Sequence, residues 1–202
     1  MSQLTNSAAL IVIDVQNDFC PGGALAVPGG DEVVAPINAM MENYDAVILT
    51  QDWHPAGHSS FASSHAGKAP MDVIDMPYGP QVLWPDHCVQ GTSGSAFHKE
   101  LRQDGDLIIR KGFRPAVDSY SAFFENDKVT PTGLEGYLRD RGIAKLALVG
   151  LATDFCVAYS ALDAARLGFD VQVHLAACRG IDLQGSLDAA LTSLKTAGVA
   201  LI

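Results

Sequence analysis

The sequence predicts an α/β fold, a mainly parallel sheet with helices on both faces, and three observations predict it. Short apolar runs rich in β-branched residues recur along the chain, segments of helical spacing separate them, and glycines follow two of those segments. Runs that are apolar throughout suit strands buried on both faces. Their alternation with helices brings successive strands into parallel register.

The first run, Ala8 to Asp14, is almost wholly aliphatic. Glu32 to Met41 then carries Val33, Val34, Ile37, Met40 and Met41 at helical spacing, and Asp45 to Thr50 is the second strand. The third strand, Leu107 to Arg110, arrives only after a long stretch, about 52–106, of Pro, Gly, Ser and His clusters with little periodicity. That is too long for an ordinary crossover, so it is expected to build a site. Helices follow at Leu134 to Arg141 and Val157 to Leu167, with Gly142 and Gly168 placed as C-terminal stops. Lys145 to Gly150 and Asp170 to Leu175 are strands, and Leu187, Ala190, Leu191 and Leu194 mark a last helix. The 202 residues are expected to form one domain spanning 1–202.

Charge narrows the function. Thirteen Lys and Arg against 23 Asp and Glu give a formal net charge of −10, a field that repels nucleic-acid backbones and anionic membranes. The opening MSQLTNSAAL has no positive cluster before its apolar run, and no segment reaches the roughly 18 apolar residues of a membrane span. Cys20, Cys88, Cys156 and Cys178 lie far apart without a C-x-x-C pair and are expected to be free thiols. A cytoplasmic enzyme acting on a small molecule is the expectation, with a homo-oligomer left open.

Ligands of open α/β sheets bind beyond the carboxyl ends of the strands. Asp14 ends the first strand, Lys111 ends the third, and Cys156 follows the Leu-Ala-Leu-Val-Gly strand by a short turn. A thiol of ordinary pKa, near ~8.5, is only slightly ionised at neutral pH. A lysine cation and a helix N-terminus would favour the thiolate, and an aspartate can take its proton. Singly each residue has a plainer use: a cap, a solvated cation, a small buried apolar group. Their joint placement is what suggests chemistry.

Asp52, His54 and His87 form a second set, one carboxylate and two imidazoles suited to a divalent transition metal (Zn, Fe or Mn, with Zn favoured). Asp52 and His54 are two apart in an extended segment and share a face; hydrogen bonding within a polar loop is the competing use of these histidines. His58 is expected outside the ligand set, because Pro55 and Gly57 break any shared helix face. Cys88 is not expected to be a ligand, and His65, His98 and His174 are expected to be structural or surface residues. Phe19, Trp84 and Tyr120 lie near these loops and offer walls for a flat heteroaromatic ring.

The segments Ile13-Asp-Val-Gln-Asn-Asp-Phe19, Gln51-Asp-Trp-His-Pro55, Leu83-Trp-Pro-Asp-His-Cys-Val89, Arg110-Lys-Gly112 and Gly150-Leu-Ala-Thr-Asp-Phe-Cys-Val157 resemble, in order, the motifs of nicotinamidases and pyrazinamidases of the isochorismatase-like cysteine hydrolases. The resemblance runs to Ala177-Cys-Arg-Gly180. It implies a three-layer α/β/α sandwich around a six-stranded, mainly parallel sheet, and hydrolysis of nicotinamide, and of pyrazinamide, in NAD salvage. It implies a triad of Asp14, Lys111 and Cys156, a metal on Asp52, His54 and His87, and a metal acting chiefly to orient the ring. It also implies a cis peptide at Leu151-Ala152 and an oxyanion hole from the Ala152 and Cys156 N–H groups. Phe155 stands where the family often has tyrosine or histidine, and its side chain is expected to point away from the substrate.

Isochorismatase-type members act on an enol ether without a cysteine nucleophile, so Cys156 argues against that chemistry. Carbamoylsarcosine, ureidoacrylate and biuret hydrolases keep the triad but usually lack the metal set. A non-catalytic metal-binding scaffold would be expected to have lost part of the triad, and none of it is missing.

Overall fold

The computed structural model describes residues 7–202; the expectation that no leader opens the chain falls on 1–6, outside the described residues. The strands are β1 (Ala8–Ile13), β2 (Ala46–Asp52), β3 (Val73–Met76), β4 (Gly79–Val82), β5 (Leu107–Lys111), β6 (Lys145–Leu151), β7 (Asp170–Arg179) and β8 (Ala200–Leu201). The α-helices are α1 (Val34–Met40), α2 (Leu134–Asp140), α3 (Ala158–Arg166) and α4 (Ser186–Thr196). Six strands form one sheet in the order β5-β2-β1-β6-β7-β8, and every neighbouring pair is parallel. β3 and β4 make a separate antiparallel hairpin within the long irregular stretch.

The burial pattern explains the order. β2 is buried at every residue and β1 at all but Ala8, as strands covered on both faces must be. With right-handed crossovers, the steps β1 to β2 to β5 put α1 on one face of the sheet. The return to β6 and the steps to β7 and β8 run the other way, which puts α2, α3 and α4 on the opposite face. The result is the three-layer sandwich. Its direction of winding reverses between β1 and β6, and a crevice opens beyond the carboxyl ends of those two strands.

Element boundaries differ from the expectation where backbone details intervene. α1 keeps only seven residues of regular helix, with 3-10 turns at Gly30–Val33 and Met41–Asn43 on either side. Pro36 has no N–H to donate and is tolerated only in a first turn. β7 runs on to Arg179 through an irregularity opposite Leu148 and Gly150. The helix expected from Val157 begins with a π turn over Thr153–Val157, so Cys156 lies inside the first turn rather than before it. β8, only two residues long, is too short to leave a pattern in the sequence. Gly150 has a φ of +113°, and a Cβ there would run into the Ile13 carbonyl, so β1 and β6 approach more closely than any side chain would allow.

Leu148 is fully buried in β6 between the two layers of helices. Leu148→Ala is expected to cost about 2–5 kcal/mol of unfolding free energy, measured by urea denaturation.

Candidate active site

β1 delivers Asp14 to the crevice with a φ of +47°, a left-handed conformation that costs a non-glycine residue about 1–3 kcal/mol. Thr50, the fifth residue of the adjacent β2, holds it there twice. The Asp14 N–H donates to Thr50 Oγ1 at 3.1 Å, and the Thr50 hydroxyl donates to Asp14 Oδ1 at 2.6 Å. Oδ2 is left to face Lys111.

Lys111 closes β5 and is 1% exposed. Its Nζ lies 2.7 Å from Asp14 Oδ2, donates to Asp52 Oδ1 and to the Ser119 carbonyl at 3.0 Å, and stands 3.4 Å from Cys156 Sγ. Burial opposes its charge, but Asp14, Asp52 and Cys156 outweigh that and hold the ammonium well above its ordinary pKa. The three residues named from the ends of three strands therefore converge on one point.

Their protonation states differ from the expected thiolate. Burial pushes the Cys156 thiol well above its ordinary pKa, and although Lys111 pulls the other way, Asp14 and Asp52 add to the rise. The resting group is a protonated thiol. Burial likewise lifts Asp14, against the pull of Lys111, to about 6. Above that pH the carboxylate is ionised and can accept the thiol proton.

Asp52 ends β2 and turns its other oxygen toward the histidines. Oδ2 is 3.8 Å from His54 Nε2 and 4.0 Å from His87 Nε2. His54 Nδ1 bonds the Gly112 carbonyl and His87 Nδ1 the Pro85 carbonyl, each at 2.8 Å. A ring that donates from Nδ1 presents a bare Nε2, the form in which imidazole binds metals. Burial lowers both histidines to about 4, so they are neutral near pH 7. Two imidazole lone pairs and a carboxylate oxygen, each within 4.8 Å of the others, make a donor set that fits a divalent transition metal. Gly112 admits this ring, since a Cβ there would run into His54.

His58 has no bare nitrogen to offer the same point. Its Nε2 faces the Arg114 and Val117 carbonyls at 2.9 and 3.3 Å, its Nδ1 meets Ser60, and its ring packs 4.5 Å from that of His54. It braces His54 and ties two loops together. Cys88 donates its N–H to Asp18 Oδ2 at 2.7 Å and stays outside the ligand set, and none of His65, His98 and His174 lines the cavity.

A small cavity adjoins Cys156, Asp52 and His87, and Phe19, Trp84 and Tyr120 all line it. The Tyr120 hydroxyl accepts from Trp84 Nε1 at 3.1 Å and from Gln81 Nε2 at 2.9 Å, which fixes both rings. Phe155 corrects the expectation made for it. Instead of pointing away, it lines the cavity, edge-on to Trp84 at 4.9 Å and to Tyr120 at 5.7 Å. The tight turn that presents Cys156 presents its neighbour too. Asp118 also lines the cavity and was not foreseen; its only trace in the sequence is a carboxylate in the loop that follows Lys111. The Leu151–Ala152 bond is cis, and Ala152 and Cys156 both border the cavity.

A parallel sheet with a buried cysteine, lysine and aspartate at its switch point, beside a metal-ready carboxylate and two imidazoles, defines a class of α/β hydrolytic enzymes. The model of the isochorismatase domain matches residues 8–202, and the chain belongs to that family. It is 53% identical to a nicotinamidase of Acinetobacter baylyi over 96% of this chain and 91% of that protein. A solved Acinetobacter baumanii nicotinamidase/pyrazinamidase superposes with a TM-score of 0.96 at 51% identity, covering 99% of this chain and 97% of that one. A Pyrococcus horikoshii pyrazinamidase solved in complex with zinc superposes with a TM-score of 0.78 at 35% identity, covering 97% and 98%.

Lys111→Met would leave Asp14 and Asp52 buried without their cation. Removing one partner of a buried ion pair typically costs about 3–5 kcal/mol, and a loss of that size in denaturant melts at neutral pH is expected.

Proposed function

We propose that the chain is a nicotinamidase, hydrolysing nicotinamide to nicotinate and ammonia, and pyrazinamide likewise. The observation that carries this is one cavity lined by Cys156, Asp52, His87 and an aromatic wall, with Lys111 against Cys156 Sγ, Asp14 paired to Lys111, and His54 completing the donor set beside Asp52. Its similarity to nicotinamidases over nearly the whole chain supports the substrate.

Asp14 takes the Sγ proton as sulfur attacks the carboxamide carbon, so the thiolate forms only as it is used. Lys111 stays cationic and balances the charge that moves between Asp14 and Sγ. Ala152 and Cys156 both line the cavity, and their N–H groups would receive the developing oxyanion, where one donor is typically worth about 2.7–4 kcal/mol. Asp14 then returns its proton to the departing nitrogen, and ammonia leaves a thioester. Water adds to the thioester with Asp14 as base, and the proton goes back to sulfur as the acid is released. Each proton borrowed is restored.

Asp52, His54 and His87 would hold a divalent ion, zinc by analogy with the Pyrococcus horikoshii structure. When bound, the ion supplies a coordinating position for a ring nitrogen and so orients the substrate. Phe19, Trp84, Tyr120 and Phe155 form the wall against which a flat ring lies. Free thiols at Cys20, Cys88, Cys156 and Cys178 suit a reducing compartment such as the cytoplasm, and no described helix is long and apolar enough to cross a membrane. Release of nicotinate there would feed NAD salvage.

Ammonia release is measured from nicotinamide, pyrazinamide, biuret and carbamoylsarcosine, and pyruvate release from isochorismate, with metal content on the same preparation. Turnover of the two ring amides alone is expected; preference for biuret or carbamoylsarcosine would overturn the assignment. Cys156→Ala is expected to lower the rate by at least about 10⁴-fold with metal content unchanged. Because Asp14 must be ionised to take the thiol proton, kcat/KM is expected to fall as pH drops through about 6, read from a pH–rate profile.

A further inference from the structure

Asp118 lies on the loop after β5 and is 2% exposed. Its carboxylate is held from two sides: Gln81 Nε2 donates to Oδ2 at 2.9 Å and the Ser119 N–H donates to Oδ1 at 2.8 Å. Gln81 is itself clamped, because its Oε1 accepts from Tyr78 and Asn126 at 3.2 and 3.1 Å. So held, Asp118 Oδ1 sits 4.0 Å from His54 Nε2, much as Asp52 Oδ2 sits 3.8 Å from the same nitrogen. Asp118 groups with His54 and His58 but not with the full set of Asp52, His54 and His87. It is beside the donor set without being a member of it.

Charge gives this placement a use. Two neutral imidazoles and one carboxylate leave a divalent ion with an excess charge of about +1, and Asp52 is not even wholly available, since its Oδ1 is engaged by Lys111. Uncompensated charge in a buried site is costly. A second carboxylate, fixed and equally buried, removes the excess.

Building on the assignment of Asp52, His54 and His87 as metal ligands, we propose that Asp118 is the second carboxylate of the metal site, neutralising the ion and accepting hydrogen bonds from its water rather than binding it directly. Lys111 and Asp14 then cancel one another, and Asp52 and Asp118 together balance the ion. Asp118 is a positioning residue here, with metal affinity as its signature.

Zinc affinity of the metal-stripped protein, measured by competition with a chelator, tests this, with the Tm of each apoprotein recorded alongside. Asp118→Asn is expected to weaken zinc binding by about 10–100-fold, as loss of such an outer partner does elsewhere. Asp118→Ser, which removes the charge with a different side chain, is expected to do the same. Gln81→Met loosens Asp118 but keeps its charge, and a smaller loss is expected. Unchanged zinc affinity in both Asp118 variants, with Asp52→Asn binding weakly, would overturn the proposal and leave the metal site standing. A loss in Gln81→Met equal to that in the Asp118 variants would also overturn it, since loosening of the wall would then account for the effect. Should Asp52→Asn bind zinc as tightly as the unaltered protein, the ligand assignment falls and this proposal with it.

Discussion

The structure depends on one buried ammonium. Lys111 Nζ sits among Asp14, Asp52, the Ser119 carbonyl and Cys156 Sγ, and these groups are supplied by β1, β2, the loop after β5, and the turn after β6. A buried ion costs several kcal/mol after relaxation, and only well-placed counter-charges and hydrogen bonds offset it. The constraint is mutual. Asp14 and Asp52 are as deeply buried as the lysine, and Lys111 lowers the pKa of each against the burial that raises them. The four parallel strand ends must therefore arrive in register, and the close approach of β1 and β6 at Gly150 brings the two halves of the site together.

Much of this fold was legible because buried strands leave a coarse signal. β1, β2 and β6 read as continuous aliphatic runs, since both of their faces are covered by helices. What escaped was set by backbone geometry or by length. The π turn at Cys156 contains no residue that forbids an ordinary helix start, the irregularity in β7 is a matter of register, and β8 is two residues long. The interior of 52–106 carries a short hairpin and one 3-10 turn at Ala62–Ser64, and its backbone is held by polar contacts such as those of the Gln16 side chain to the backbone of Asp52 and Ser95. Contacts of that kind join residues far apart in sequence and have no period to detect.

For the site, residue types and strand ends placed Asp14, Lys111 and Cys156 together, and the two-residue spacing placed Asp52 with His54. Two things were out of reach. The first is protonation: a lysine beside a cysteine suggests a thiolate, but burial and two carboxylates dominate here and keep the thiol protonated. The second is what comes along with a functional residue by chain geometry. Phe155 enters the cavity because a tight turn carries it there with Cys156, and Asp118 because Gln81, far away in sequence, reaches it.

The triad and the metal set look like two sites in the sequence, yet they share a carboxylate. Asp52 gives Oδ1 to Lys111 and Oδ2 to the histidines, so its single charge is divided between an ammonium and whatever lies between the imidazoles. With a cation held at Oδ2, Asp52 would share its charge and Lys111 would lean more on Asp14 and Sγ. A sulfur losing its proton would then meet an ammonium less satisfied elsewhere, and the carboxylate taking the proton would be the one most firmly held, by Thr50. Orientation of a ring and readiness of the nucleophile are in this arrangement two faces of one residue, and substitutions at Asp52 disturb both together because its carboxylate touches both halves.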